Sequence, residues 1–471
     1  MKEALSTVEN FQSIVSKEKL SPHGLSFSDR NGRLFKSNKK LYRVISKQST
    51  KFYRKLFDQG IIQNLIAKNL LIETEIADLE VKDYELVLEH RTIPFVSYPQ
   101  EWCDEMLRDA ALFHLDLCIE LASNQLTTQD AHPLNILFDG YRPIFIDFCS
   151  IIALENQSWP AEHAFNIFFM NPLRLMAKGH TRTARWLLHD YDLGVQNSDL
   201  EDSRHKKLVV NYKKNILNYG EKIAEKLRYF LLIFFLRRFM SKKYKPPSMI
   251  DFFRETQKKI MNLTLFYSHI NFSPQSNQSP IPSESYLIQK IALTEQIIND
   301  LKPNSILDIS GSLSQGSYSK LAASIGCRNV IMLSPDELLI KNMYIYAKTN
   351  KLSILPLIGD FSSPIWNLSN EWVEPAHERL KCEMVLVFSV IDDLIFDWWR
   401  SFELIVTRLS LLSKRWVLIE FILDNNKIFD EPHLAWYSLH NFIKALKNKF
   451  CNVTTISMDT ESRVLILCEK Q

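Results

Sequence analysis

Apolar residues recur along this chain in two rhythms that change near residue 284. In the first half, Arg33 to Lys36 and Leu41 to Ile45 alternate around a polar turn at Ser37 to Lys40, which predicts a hairpin over 33–46. Phe52, Leu56, Ile61, Ile62 and Leu65 fall on one face of a helix over 51–68. Glu85 to Glu89 reads as a strand, Ile93 to Pro99 as an extended hinge, and 101–125 as a long helix. Ile136 to Phe138 and Pro143 to Ile146 are short apolar strands around Asp139 and Gly140, a tight-turn signal. Residues 155 to 265 carry a helical pattern rich in Phe and Leu, with Phe-rich helices at 163–170 and 230–235.

Beyond that point helices and short continuous apolar strands alternate. Helices are predicted over 285–300, 317–325 and 336–349. Strands are predicted at Ser305 to Ile309, Asn329 to Leu333, Ser353 to Leu357, Met384 to Phe388 and Trp416 to Glu420. Strands without polar alternation are buried on both faces, so the pattern specifies an α/β fold: a doubly wound, Rossmann-like parallel sheet. The Ser, Asn and Pro stretch from Asn271 to Ser283 holds too little apolar surface to order itself and marks a linker. The expected organisation is a β-rich lobe at 1–100, a helical lobe at 101–270, a linker at 271–284 and a sheet domain at 285–471. The Trp398–Trp399 pair is expected in a core. His433 and His440 are expected on one helix face, with no metal between them.

Composition narrows the class. Of 471 residues, 46% are hydrophobic and 24% charged, as in a globular protein. A net charge of +3 gives no argument for nucleic acid, and Arg237, Arg238, Lys242 and Lys243 read as a solvated helix end. The seven cysteines form no CxxC pair, which fits reduced thiols. Met1 to Glu9 has no apolar core, and the run Tyr229 to Leu236 is about half a membrane span. A cytoplasmic protein without a transmembrane segment is therefore expected.

Two places carry candidate chemistry. Folding the 136–146 hairpin returns Asn135 beside Asp147, with Asp130 one loop away. Such an Asp, amide and Asp set positions a catalytic carboxylate and holds Mg²⁺ on nucleotide phosphates in kinase-like folds. Arg43 occupies the strand position of a phosphate-pairing Lys, no GxGxxG precedes it, and Cys149 replaces the Gly that usually follows Asp147 and Phe148. The same residues also suit a buried hydrogen-bond network, with His132 capping the loop. In the second half, Asp308 closes the first strand before the small residues Ser310, Gly311, Ser312 and Gly316. Ligands of open parallel sheets bind beyond the carboxyl ends of the strands. Asp360 closes the third strand, and Asp392 and Asp393 follow the fourth.

The segments Gly32 to Phe35, Leu41 to Ile45, Asp130 to Phe138, Arg142 to Asp147 and Ser305 to Ile309 resemble, in order, one bacterial group. It is the class I S-adenosylmethionine-dependent methyltransferases with a kinase-like N-terminal half, described as nodulation-protein-like. The resemblance implies methyl transfer to an unknown acceptor. Asp308, Ser310, Gly311, Ser312, Asp336 and Asp360 would bind the cofactor, and Asp392 and Asp393 would be catalytic. Here Ser310 and Ser312 stand where the family has Gly and Asn. Ser334 replaces the strand-two acid, leaving Asp336 as its substitute, and Asp392 and Asp393 replace a His pair. Two alternatives remain. One is phosphotransfer or Mg-ATP binding at Asp130, Asn135, Asp147 and Arg43; the other is a non-catalytic pseudoenzyme.

Overall fold

The computed structural model describes residues 14–15, 21–22, 30–37, 40–155, 158–201, 248–265, 283–310, 314–363, 373–423, 436–456 and 462–470. The expected 230–235 helix, the basic cluster at 237–243, most of the 271–284 linker, Gly311, Ser312 and His433 lie outside these residues. Contacts gather the chain into two compact units. One comprises 1–110, 133–149 and 267–471, and the other 111–132 and 150–266.

In the first unit, β1 (Ile14–Val15) pairs in parallel with β6 (Glu80–Val81). A five-stranded antiparallel sheet runs in the order β2 (Ser21–Pro22), β3 (Gly32–Ser37), β4 (Lys40–Ile45), β7 (Val87–His90), β5 (Thr74–Ile76). The β3–β4 hairpin closes with Ser37 opposite Lys40, as the alternation predicts. The single helix expected over 51–68 is instead two, Lys47–Asp58 and Ile61–Ala67. Gly60 between them has φ +71°, a left-handed geometry that ends the first helix.

The predicted second hairpin is β9 (Ile136–Asp139) and β10 (Arg142–Phe145). Arg142 pairs with Asp139, so the two-residue loop is Gly140 and Tyr141, with Gly140 at φ +63°. A lone positive φ at the first loop position is the arrangement that needs glycine in tight hairpins.

The larger sheet of this unit holds β12 (Ser305–Asp308), β13 (Asn329–Ser334), β14 (Ile354–Ile358), β15 (Cys382–Val387), β16 (Ser413–Ile422), β17 (Asn452–Ile456) and β18 (Arg463–Glu469). Its order is β14-β13-β12-β15-β16-β18-β17. The five predicted strands are parallel neighbours, and their interiors are buried. The wholly parallel sheet expected from the sequence is corrected at one edge, where β18 runs antiparallel between β16 and β17. Helices Glu284–Leu301, Ser317–Ser324 and Glu337–Asn350 lie before or between the strands, close to their predicted positions, and a further helix, Phe402–Leu412, precedes β16. Strand order reverses at β12, with β13 on one side and β15 on the other. This is the switch point at which doubly wound sheets open for a ligand.

Among the described residues, the regular structure of the second unit is helical apart from β8 (Leu126–Thr128) paired with β11 (Ile151–Ala153). Phe165, Phe168 and Phe169 are buried, as expected of a core helix, although a π-turn occupies Asn166–Met170. His114 and Trp159 complete this core, and the Trp159 indole donates to Thr128 at 3.1 Å. None of the seven cysteines is in a disulfide. No helix among the described residues is long and apolar enough to cross a membrane.

Candidate functional site

Carboxylates stand at or just beyond the ends of the first three parallel strands in chain order, β12, β13 and β14, and their surroundings define what each does. Asp308 at the end of β12 is fully buried. Its Oδ1 accepts from the Ser310 amide at 3.0 Å, and its Oδ2 accepts from the Ser319 hydroxyl at 2.6 Å. Burial pushes this carboxyl above the usual range, and the Ser310 and Ser319 bonds pull the other way. Asp308 thus ties the loop and the following helix to the strand. Gly316 caps that helix at φ +67°, and a Cβ there would lie 2.1 Å from the Met343 methyl. The glycine lets the turn approach its own core.

Asp336, two residues beyond β13, is the N-cap of helix Glu337–Asn350. Its Oδ1 accepts from the Leu338 and Leu339 amides, both at 3.0 Å. Asp360, two beyond β14, accepts from the Ser362 amide at 2.8 Å, again through Oδ1. Ser334 pairs with Ile358, and the Gly359 amide donates to the Ser334 carbonyl at 3.0 Å. Asp336 and Asp360 therefore leave adjacent parallel strands at the same level.

Sequence reasoning missed the densest cluster in this sheet. Glu420, fully buried on β16, accepts from Lys290 at 3.1 and 3.2 Å, from Arg463 at 3.1 Å and from the Tyr286 hydroxyl. Its Oε2 also accepts from the Ser389 amide at 2.8 Å and the Ser389 hydroxyl at 2.9 Å. Burial alone would raise the Glu420 carboxyl, but Lys290 and Arg463 outweigh it and hold its pKa at about 2. The Lys290 ammonium also lies 5.2 to 5.6 Å from the Tyr286, Phe388 and Tyr318 ring centres. Only the i, i+4 spacing of Tyr286 and Lys290 hinted at this cluster. Glu420 lies 134 and 130 residues from Tyr286 and Lys290, and 43 and 31 from Arg463 and Ser389.

Ser389 has φ +54°, so Glu420 fixes a left-handed turn just before helix Ile391–Phe396, which carries Asp392 and Asp393. Asp392 is buried and Asp393 half-buried. The Trp398–Trp399 pair that follows is corrected from the core to the surface, with the side chains 51% and 70% exposed. Trp399 sits at φ +53° where the Arg400 amide turns back to the Leu394 carbonyl, and this geometry carries both residues outward.

In the other candidate set, Arg43, Asn135 and Asp147 belong to the first unit, and the hairpin register brings Asn135 beside Asp147. The Ile146 amide donates to the Asn135 carbonyl at 2.9 Å. Arg43 is buried, 3.8 Å from Asp147, and its Nε donates to His90 at 3.4 Å. Burial, then the Arg43 charge, holds His90 well below its ordinary pKa. Phe148 packs on Tyr53, Phe57 and His90, and the Cys149 carbonyl accepts from the Tyr53 hydroxyl at 2.9 Å. Asp130 belongs to the second unit, where its Oδ1 accepts from the His132 amide at 3.1 Å. Asp130, rather than His132, is therefore the loop cap. The His132 ring packs 4.1 Å from Phe168.

These features define a mixed α/β protein with a Rossmann-like sheet in the strand order of class I methyltransferase domains. The chain is similar to the nodulation protein NoeA of Rhizobium meliloti (strain 1021), 28% identical over 191 residues. That match spans 38% of this chain and 39% of the relative's length, and it supports the resemblance drawn from the residues. No family model matches the chain. Among solved structures, an O-methyltransferase family protein from Burkholderia thailandensis is 9% identical, over 39% of this chain and 56% of its own, with a TM-score of 0.29. The PH0226 protein from Pyrococcus horikoshii OT3 is 14% identical, over 42% of this chain and 96% of its own, also with a TM-score of 0.29. At such scores these two likenesses carry no argument, and the fold rests on strand order.

Proposed function

We propose that the larger sheet binds S-adenosylmethionine and transfers its methyl group to an acceptor. The observation that carries this reading is the level pair Asp336 and Asp360 on adjacent strand tips, beside the switch point at Asp308. In this role Asp336 and Asp360 would accept from the nucleoside through their second oxygens. Asp308 would act by holding Ser310, and through it the loop with Gly311 and Ser312. The bound cofactor supplies an activated methyl on a sulfonium. The chain supplies orientation of donor and acceptor, a proximity effect worth several kcal/mol of the barrier. Asp392 or Asp393, set after the strand-four turn, would orient the acceptor or take its proton. Calorimetry with S-adenosylhomocysteine tests the proposal: saturable binding is expected, weakened about tenfold or more in Asp360→Ala and Asp336→Ala. Absence of binding in the intact chain would overturn it.

A second reading is favoured by Arg43 facing Asp147 with Asn135 alongside: nucleotide-phosphate binding by a kinase-like module. Heat from Mg-ATP that disappears in Asp147→Asn would establish it. Silence toward both ligands would make the chain a non-catalytic binding protein.

A further inference from the structure

Positive charge collects at the amino-terminal edge of the larger sheet, the end away from Asp308, Asp336 and Asp360. β15 and β16 are parallel and both begin there, with Cys382 opposite Ser413. β17 also begins there and β18 ends there, since Glu469 pairs with both Trp416 and Asn452. The Lys470 amide donates to the Arg415 carbonyl at 2.8 Å, and the Cys451 amide to the Glu469 carbonyl at 2.9 Å. Four adjacent strand ends make a row about 15 Å long. The charged residues on it are Lys381, Lys414, Arg415, Lys449 and Lys470, with Glu383 and Glu469. Five cations against two carboxylates leave +3, as much as the net charge of the whole chain.

Packing accounts for two of these cations. The Lys470 ammonium donates to the Ser410 and Ser413 carbonyls, the latter at 3.0 Å. The Arg415 guanidinium stacks 4.1 Å from the Trp416 ring centre and pairs with Glu469 at 3.4 Å. Lys381, Lys414 and Lys449 have no hydrogen bond or ion pair among the described residues, and the last two are exposed. Lys447, also exposed, closes helix Leu439–Lys447, whose carbonyl end favours a cation. Like charges crowd here: burial, then Lys381 and Lys449, lower the pKa of the Lys470 ammonium. Lysines that guard a sheet against edge pairing lie on its outermost strand. β17 carries none from Asn452 to Ile456, so the lysines at the strand ends answer no such need.

A phosphate bound at a fixed position is met by the planar fork of arginine, whereas lysine offers a point charge. The unpaired cations here are all lysines. Trp416, the aromatic residue within this row, is only 5% exposed and cannot stack a nucleobase. Leu411, two residues before β16, is 40% exposed and adds an apolar contact. Diffuse lysine charge with an apolar foot suits the headgroups of an anionic bilayer better than a nucleic acid.

We infer that this edge, through Lys381, Lys414, Lys447 and Lys449 with Leu411 beside them, docks on an anionic lipid surface. The inference stands independently of the methyl-transfer reading, because docking at this edge leaves the carboxyl tips of the strands facing away from the lipid.

The test is co-sedimentation of the full chain with vesicles of phosphatidylcholine alone or with about 30% phosphatidylserine. Binding is expected to the mixed vesicles only, with release as salt rises. Each lysine near the surface contributes about fivefold, so Lys381→Gln, Lys414→Gln and Lys449→Gln together should weaken binding about a hundredfold. Lys51→Gln, Lys55→Gln and Lys258→Gln together remove the same charge elsewhere and should leave binding within about threefold of the wild type. Unchanged melting temperatures in both triple variants keep the comparison one of binding. A short DNA duplex and a single-stranded RNA are titrated in parallel. No binding to the mixed vesicles, equal binding to neutral ones, equal losses in the two triple variants, or tighter capture by either nucleic acid would each overturn the inference.

Discussion

Replacing Glu420 by Gln keeps the side-chain shape and removes one negative charge from between Lys290 and Arg463. The two cations hold the Glu420 carboxyl at about 2, against its ordinary 4.5. That difference, at about 1.4 kcal/mol per pH unit, sets the carboxylate's contribution at roughly 3 kcal/mol. It agrees with the several kcal/mol lost on removing one partner of a buried ion pair. Because the folded pKa is depressed, the contribution is complete above pH 4.5 and fades as pH falls toward 2. By about pH 3 less than half of it remains. Urea denaturation of wild type and Glu420→Gln from pH 7 down to 3 measures the gap directly. A gap of about 3 kcal/mol at pH 7 that narrows steadily below pH 4.5 is expected. A gap under about 1 kcal/mol, or one that does not change with pH, would refute the reasoning.

Gly316→Ala should lose about 1–2 kcal/mol from its left-handed backbone, plus a crowding cost against Met343. A double-mutant cycle with Met343→Ala should return the crowding part; full additivity would remove that contact from the account. Trp398→Ser and Trp399→Ser should each change stability by less than about 1 kcal/mol, whereas a core site would lose about 3–5 kcal/mol. His114 is held neutral by burial, with its pKa lowered to about 3 from 6.5. The unfolded chain therefore takes up a proton first, and stability should fall as pH drops from 6.5 toward 3. His114→Phe should flatten that slope in a denaturation series, and an unchanged slope would point to other groups.

Periodicity located every parallel strand of the larger sheet within about three residues, because a strand buried on both faces reads as an unbroken apolar run. The edge was harder: β17 alternates polar residues toward solvent, and nothing local announces that β18 inserts between β16 and β17. Carboxylates at strand ends were visible as positions, but their roles were not. Asp336 reads equally as a ribose ligand or a helix cap from sequence, and its two amide contacts decide what Oδ1 does. Asp308 looked like a ligand, yet burial turned it inward to Ser310 and Ser319. Trp398 and Trp399 misled because hydrophobicity says nothing of a left-handed turn. The Glu420 cluster stayed hidden because its members come from distant segments, and such convergence has no period.

Insertion of β18 between two strands has a consequence for assembly. Arg463 reaches Glu420 only once the chain has doubled back through β17. While the ribosome is still making β18, Lys290 must face Glu420 without its second cation, and the outer edge of β16 stands open. Registry of the whole layer is thus sealed late, by the strand that follows all the others of this sheet in chain order. Deleting 463–469 should strand a nascent chain as prey for proteases rather than leave a trimmed but working domain.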